Sequence, residues 1–376
     1  MGKNERMLRR TFLKTAACPL LAVAAPLQDS SPAPIRLGFD SYSLRAFRFK
    51  AIELLEYAAG QKLDTIQLSS LDDYESFEPA YLAKVRQRAT DLGIIIDGGM
   101  GCICPVSHSW SAKNGDPKEN LLKGLRVAKA VGGTSMRCYM GSSDDRFGTA
   151  AKPAIPIHKL MQSTIELFRS VRSQSLDLGV KIALENHAGD MQAREVRTII
   201  EEAGKDFVAS CLDTGNPMWV AEDPLTALEV LAPYVVTTHV RDSAVYEHPR
   251  GAAAQWVALG DGSIDLKAFM KRYRELCPNA NMQLEIITGR PPRVVPYLEP
   301  DFWKALPQAN AAEFARFVAL AKAGHPFNGF MIVEDGFAKP PRAYAEALHE
   351  QQRVDLERSF EYAKNTLGAG VRWRHA

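Results

Sequence analysis

Four short apolar segments between residues 180 and 285 each stop on a residue able to bind a metal ion. One is Val180-Lys181-Ile182-Ala183-Leu184-Glu185, followed at once by Asn186 and His187. The others run over 207–213, 234–239 and 281–285 and end in Asp213, His239 and Glu285. A strand that is apolar toward both faces must be covered on both, as in a parallel sheet sheathed by helices. Its polar end then marks where chemistry can sit.

The same unit of strand, loop and amphipathic helix starts near residue 35. Earlier strands are expected at 35–39, 65–68, 93–97 and 134–139. Helices are expected at 50–59, 79–92, 118–131 and 158–178, and between the later strands at 193–203, 224–231 and 264–276. In the first helix Ile52, Leu55 and Ala59 share a face. Eight such repeats without a Gly-rich dinucleotide fingerprint predict an α/β fold of the TIM (β/α)8 barrel type over 35–290, not a doubly wound sheet. Gly260 and Gly262 do not follow a strand as that fingerprint requires. Long excursions at 98–117, 140–156 and 241–258 each follow a strand and so line the active mouth of the barrel. Residues 291–376 read as a C-terminal extension packing on the barrel. It holds a loop to 307, a helix over 311–323, a ninth short strand at 330–334 and a long helix over 341–366. Such an extension covers a mouth or makes a subunit contact, the latter implying a homo-oligomer.

The first 28 residues are set aside. Arg9-Arg10-Thr11-Phe12-Leu13-Lys14 leads into an Ala-rich apolar run over 15–25, closed by Pro26. This is read as a twin-arginine signal peptide addressing the protein to the periplasm or another extracytoplasmic space. About eleven apolar residues cannot span a hydrocarbon layer of about 30 Å, so no stable membrane insertion is expected. Five Lys/Arg and one Glu lie in this segment, and without it acidic residues slightly outnumber basic ones. Nothing in that balance suits a phosphate backbone, so nucleic acid is not an expected partner. Cys102, Cys104, Cys138, Cys211 and Cys277 remain, an odd number that forms no disulfide framework. The Cys102-x-Cys104 pair is too tight for a zinc ribbon.

In a barrel the C-terminal ends of the last four strands point into one mouth. Any one polar residue there could simply cap a strand end. Glu185, Asp213, His239 and Glu285 in succession instead form an oxygen-rich site with one imidazole. That donor set suits a divalent metal, Mn²⁺ above all, then Co²⁺, Mg²⁺ or Fe²⁺, with Zn²⁺ also accommodated. His187 and Arg241 each stand two positions beyond a ligand and are candidates for holding substrate oxygens. His108 and Trp110 in the excursion after the third strand, and Trp219 and Trp256 after the sixth and seventh strands, are candidate sugar contacts.

The ordered set Ala183-Leu184-Glu185-Asn186-His187, Leu212-Asp213-Thr214-Gly215-Asn216, His239-Val240-Arg241-Asp242, Gly260-Asp261-Gly262-Ser263-Ile264-Asp265 and Leu284-Glu285 resembles the sugar phosphate isomerase/epimerase family of xylose isomerase-like barrels. The likeness covers roughly 35–287. It implies a divalent metal held by Glu185, Asp213, His239 and Glu285. In the ketose 3-epimerase branch the residues matching Glu185 and Glu285 also serve as the acid/base pair. The function implied is a carbohydrate isomerase or epimerase that moves a proton next to a carbonyl through a metal-stabilised enediolate. A lyase or dehydratase acting on a keto-sugar, keto-glycoside or inosose would use the same site, and a non-catalytic sugar-binding barrel is the third class. One position departs from the pattern. Those epimerases, and the apurinic-site endonucleases of the superfamily, carry His where this chain has Asn216, and with eight His in all the chain lacks a multi-zinc nuclease set. Asn216 is counted here among the substrate-binding residues.

Overall fold

The computed structural model describes residues 34–334 and 340–375. The export signal expected at 1–28 lies outside the described residues. In chain order the strands are β1 (Leu37–Asp40), β2 (Thr65–Leu68), β3 (Ile95–Cys102), β4 (Ser135–Tyr139), β5 (Lys181–Glu185), β6 (Val208–Asp213), β7 (Val235–His239), β8 (Asp242–His248), β9 (Gly251–Val257), β10 (Met282–Leu284) and β11 (Arg293–Val295). The helices are α1 (Ala51–Gly60), α2 (Pro79–Leu92), α3 (Pro117–Ala130), α4 (Ser143–Phe147), α5 (Ile157–Ser170), α6 (Arg172–Leu178), α7 (Ala193–Ala203), α8 (Pro224–Leu231), α9 (Leu266–Leu276), α10 (Pro300–Lys304), α11 (Ala311–Ala323) and α12 (Arg342–Asn365).

Seven strands from β1 to β7 pair in sequence order, and β10 pairs with β1, all parallel. The ring closes just past β7, where Val240 N–H donates to Gln283 O at 2.7 Å and Val240 O accepts from Glu285 N–H at 3.2 Å. This is the expected (β/α)8 barrel. Helix starts are set locally: Asp116, Asp223 and Asp265 accept backbone N–H groups at the first turns of α3, α8 and α9, and Pro opens α2, α3 and α8. Such caps contribute about 1 kcal/mol each.

The barrel interior is polar near its floor. Asp97 accepts from Ser135 Oγ, Thr237 Oγ1, Asn281 Nδ2 and Gln283 Nε2 at 2.9 to 3.1 Å. Thr237 also reaches Gln67 Oε1 at 3.4 Å, and the Gln67 amide nitrogen stands 3.0 Å from His239 Nε2. Hydrogen-bonded in this way, polar side chains are tolerated inside. The apolar core lies between the strands and the helix ring, and α12 enters it through Leu356, Phe360 and Ala363. Phe360 sits edge-on to Phe39 of β1 at 5.9 Å. All five described cysteines are free and buried. No helix among the described residues is long and apolar enough to cross a membrane.

Four expectations are corrected. The helix expected at 158–178 is two helices, parted at Val171, whose φ of −114° and ψ of 9° leave the helical basin. Residues 241–258 are not a loop but the antiparallel hairpin β8–β9, joined by β11 into a three-stranded sheet. The third strand runs on to Cys102, with a register shift between Gly99 and Cys102. Residues 330–334 form no strand: Ile332 N–H is taken by the side chain of Gln351, and Glu334 N–H by Gly289 O, so no ladder forms. The small sheet has its own apolar cluster, where Ala252, Ala254 and Val295 meet Phe302, Leu306 and Phe317.

Candidate metal centre and cavity

Glu185 closes β5, Asp213 closes β6, His239 closes β7, and Glu285 follows β10 by one residue. The barrel brings one ligand atom from each within 4.8 Å of the others, all four residues being buried. Backbone bonds fix these ends. Asn186 Nδ2 donates to Asp213 O and Asn186 Oδ1 accepts from Asp213 N–H, both at 2.9 Å, locking β5 to β6. Asp213 Oδ1 then accepts from Gly215 and Asn216 N–H at 2.6 and 2.7 Å, leaving Oδ2 for the centre.

His239 Nδ1 lies 3.2 Å from Glu185 Oε1, 3.4 Å from Glu285 Oε2 and 3.9 Å from Asp213 Oδ2. Though buried, that nitrogen has no hydrogen-bond partner. Nε2 lies 3.3 Å from Asp40 Oδ2 and 3.0 Å from the Gln67 amide nitrogen, so the ring is seated with Nδ1 toward the three acids. An unpartnered imidazole nitrogen ringed by three carboxylates fits a divalent cation. Burial opposes charge on His239, but the surrounding Cys211, Glu285, Glu185 and Asp40 drive its pKa well above the ordinary value. The same negative field would welcome a metal ion.

Two buried guanidiniums flank the acids. Arg137, from the middle of β4, pairs with Glu185, and Arg241 pairs with both Asp213 and Glu285. Burial works against ionisation of Glu185 and Glu285. Arg137 and His239 nevertheless hold Glu185 well below the usual carboxylate range, and Arg241 and His239 bring Glu285 to about 2. Asp213 goes the other way, lifted by burial to about 7 despite Arg241.

Above the acids opens a cavity of about 680 Å³. Glu285 lines it, whereas Glu185 is fully buried behind Arg137 and Asn216, whose Nδ2 donates to Glu185 Oε1 at 3.1 Å. His187, Asn216, Trp219 and Arg241 all reach the cavity wall. His187 stacks on Tyr139 at 3.8 Å, its Nδ1 2.6 Å from Gly141 O, and burial lowers its pKa. His108 does not line the cavity: its ring contacts Pro153 O at 2.9 Å, and Asp145 anchors its backbone. Trp110 packs against the core instead. Trp219 and Trp256 stack on each other at 4.4 Å with planes 10° apart, Arg241 over Trp256 and Arg293 over Trp219, each at 4.4 Å.

Several residues of the site escaped the reading of the sequence. Arg137 was detectable as a lone charge inside the apolar run Ser135-Met136-Arg137-Cys138-Tyr139, and Asp40 as an acid closing β1. Arg290 and Arg293 line the mouth from a stretch without periodicity.

The sequence profile described as xylose isomerase-like TIM barrel matches residues 49–306. Among curated proteins, the 3-oxo-isoapionate decarboxylase of Pectobacterium atrosepticum is 25% identical over 235 residues, 62% of this chain and 76% of that protein. A crystal structure of D-psicose 3-epimerase in the presence of D-fructose superposes with a TM-score of 0.55 at 16% identity, over 89% of this chain and all of the other. The IOLI protein, solved with a zinc atom bound, gives 0.51 at 14%, over 76% of this chain and 95% of its own. At these identities the two structures speak to the fold alone. With more than half of its length matched by the profile and the barrel built as that profile requires, the chain belongs to the xylose isomerase-like TIM barrel family.

Proposed function

We propose that this protein is a divalent-metal-dependent carbohydrate enzyme that moves a proton at a carbon next to a carbonyl, as an isomerase or epimerase. The observation that carries the reading is the buried set Glu185, Asp213, His239 and Glu285 at the base of a cavity, with His239 Nδ1 unpartnered among the acids. A divalent cation held by these four residues supplies Lewis acidity to the carbonyl, which acidifies the neighbouring C–H. Glu285 is the acid that faces the cavity, so it is assigned the proton transfer on that side, with Glu185 as its counterpart on the other. His187 and Asn216 orient hydroxyls, and the indole pair gives the sugar an apolar edge to lie against. Manganese is the first choice of metal. The leader at 1–28 belongs to the same proposal, placing the activity outside the cytoplasm.

A second reading, a lyase, is favoured by the placement of the two buried glutamates. Only Glu285 opens to the cavity, and expulsion of a β-substituent or of carbon dioxide needs no second base on the opposite face. The decarboxylase name of the Pectobacterium relative is in line with it. Solvent-deuterium incorporation, followed by NMR on a panel of ketoses, keto-glycosides and oxo acids with the Mn²⁺-loaded protein, tests both. Deuterium next to the carbonyl is expected, with the rate falling on the order of 10³-fold in Glu285→Gln. An epimeric product supports the first reading and an eliminated fragment the second. Exchange that survives in Glu285→Gln would remove the proton-transfer role of that residue.

A further inference from the structure

We propose that the cavity takes an acidic carbohydrate, its carboxylate held by Arg293 at the end of the molecule remote from the reacting carbonyl. This rests on the reading above, in which the four ligand residues mark the reacting centre. Four planar groups are layered along the cavity wall in the order Arg293, Trp219, Trp256, Arg241. The inner guanidinium is paired, through Nε and Nη2, with Asp213 and Glu285. The outer one, half-buried and lining the cavity, has no ion pair or hydrogen bond among the described residues. Burial lowers the Arg293 pKa and only Asp144 opposes this, acting through space. An arriving anion would supply the missing partner.

The rest of the wall has the same bias. Trp219 Nε1 and Arg241 Nη1 are buried donors without acceptors, against one unpartnered acceptor, Asn216 Oδ1. Arg290 of the wall shares a single carboxylate, Glu334, with Arg45, which leaves positive charge over. A sugar hydroxyl can accept one of these hydrogen bonds but neutralises nothing. A carboxylate matches the planar fork of a guanidinium with two parallel bonds and its charge. A phosphate usually draws on several converging donors, backbone N–H groups included, whereas here a single free fork is offered. Two indoles separate Arg293 from the arginine that touches the metal ligands, so the anionic group sits away from the reacting carbons.

Calorimetric titration of the full chain, with and without Mn²⁺, by D-fructose, D-fructuronate and D-fructose 6-phosphate tests this, because the three differ only at carbon 6. D-Fructuronate is expected to bind at least about tenfold tighter than D-fructose. Arg293→Met should erase that advantage and leave D-fructose affinity unchanged, while Arg293→Lys should retain part of it. An unaltered melting temperature certifies both variants as folded. Equal affinity for the acid and the neutral sugar would overturn the proposal. So would tighter binding of the phosphate, or a loss in Arg293→Met that falls equally on D-fructose. If the preference for the acid holds while no substrate exchanges deuterium, the functional reading fails and only the carboxylate site at Arg293 stands.

Discussion

Single residues in this barrel are costly where a charge is buried without a partner. Glu222 is the plainest case outside the metal centre. One carboxylate oxygen accepts from Ala193 N–H at 3.1 Å and the other, Oε1, has nothing. Burial lifts its pKa from 4.5 to about 8, with Glu313, Asp223 and Glu195 adding to the shift and the Ala193 N–H opposing it. The folded state therefore binds more protons than the unfolded chain between those two values, so stability falls as pH rises through that window. Glu222→Gln should lack this slope. It should match the wild type near pH 5 and exceed it by a few kcal/mol at about pH 8, read from denaturant unfolding at the two pH values. Legibility was also uneven at this scale. Glu185, Asp213, His239 and Glu285 could be read from the chain because each ends an apolar run. Arg137 stood out as a lone charge, but its role did not, because a charge inside a strand reads equally well as pointing outward until the barrel closes round it. Arg293 lies in a Pro-rich stretch, and only the fold sets it over Trp219.

Elements were legible where period and packing agreed. The strands β5, β6 and β7 and the helices α2, α7 and α8 fall where their patterns predict, since each has one clear core face or two. The hairpin β8–β9 was hidden by composition: Gly251-Ala252-Ala253-Ala254 has poor strand propensity, and tertiary packing under Phe302 and Phe317 imposes extension. Gly251 carries φ of 143°, and a Cβ there would meet Val295 O at 2.4 Å, so the turn into β9 admits no side chain. Helix α12, distant in sequence, covers the first strand by burying Phe360 against Phe39. Phe360→Ala should cost about 3–5 kcal/mol, measured by equilibrium unfolding, because the hole left in that core cannot readily collapse. A change below 1 kcal/mol would mean that α12 is an appendage and not part of the barrel's core.

For the whole molecule the central question is how three buried acids coexist with one another. Arg137 and Arg241 answer part of it, and a divalent cation would answer the rest. Binding to the native state alone raises stability by RT ln(1 + [L]/Kd), about 2.7 kcal/mol at a hundredfold excess over Kd. Mn²⁺ should therefore raise the melting temperature, a chelator should reverse the rise, and His239→Gln should abolish it. An unshifted melting curve with Mn²⁺, Co²⁺, Mg²⁺ and Zn²⁺ in turn would sink the metal assignment. Beneath that centre, Asp97 gathers four side chains, from β4, from β7, from β10 and from Asn281 just before β10, and Gln67 passes the circuit on to His239. Each member of such a network supplies the donor or acceptor that another requires, so a change at one position strands its neighbours. Descent should leave its mark there: across lineages the floor is expected to change as a block or not at all, while the mouth, whose loops answer to solvent and substrate, diverges one position at a time.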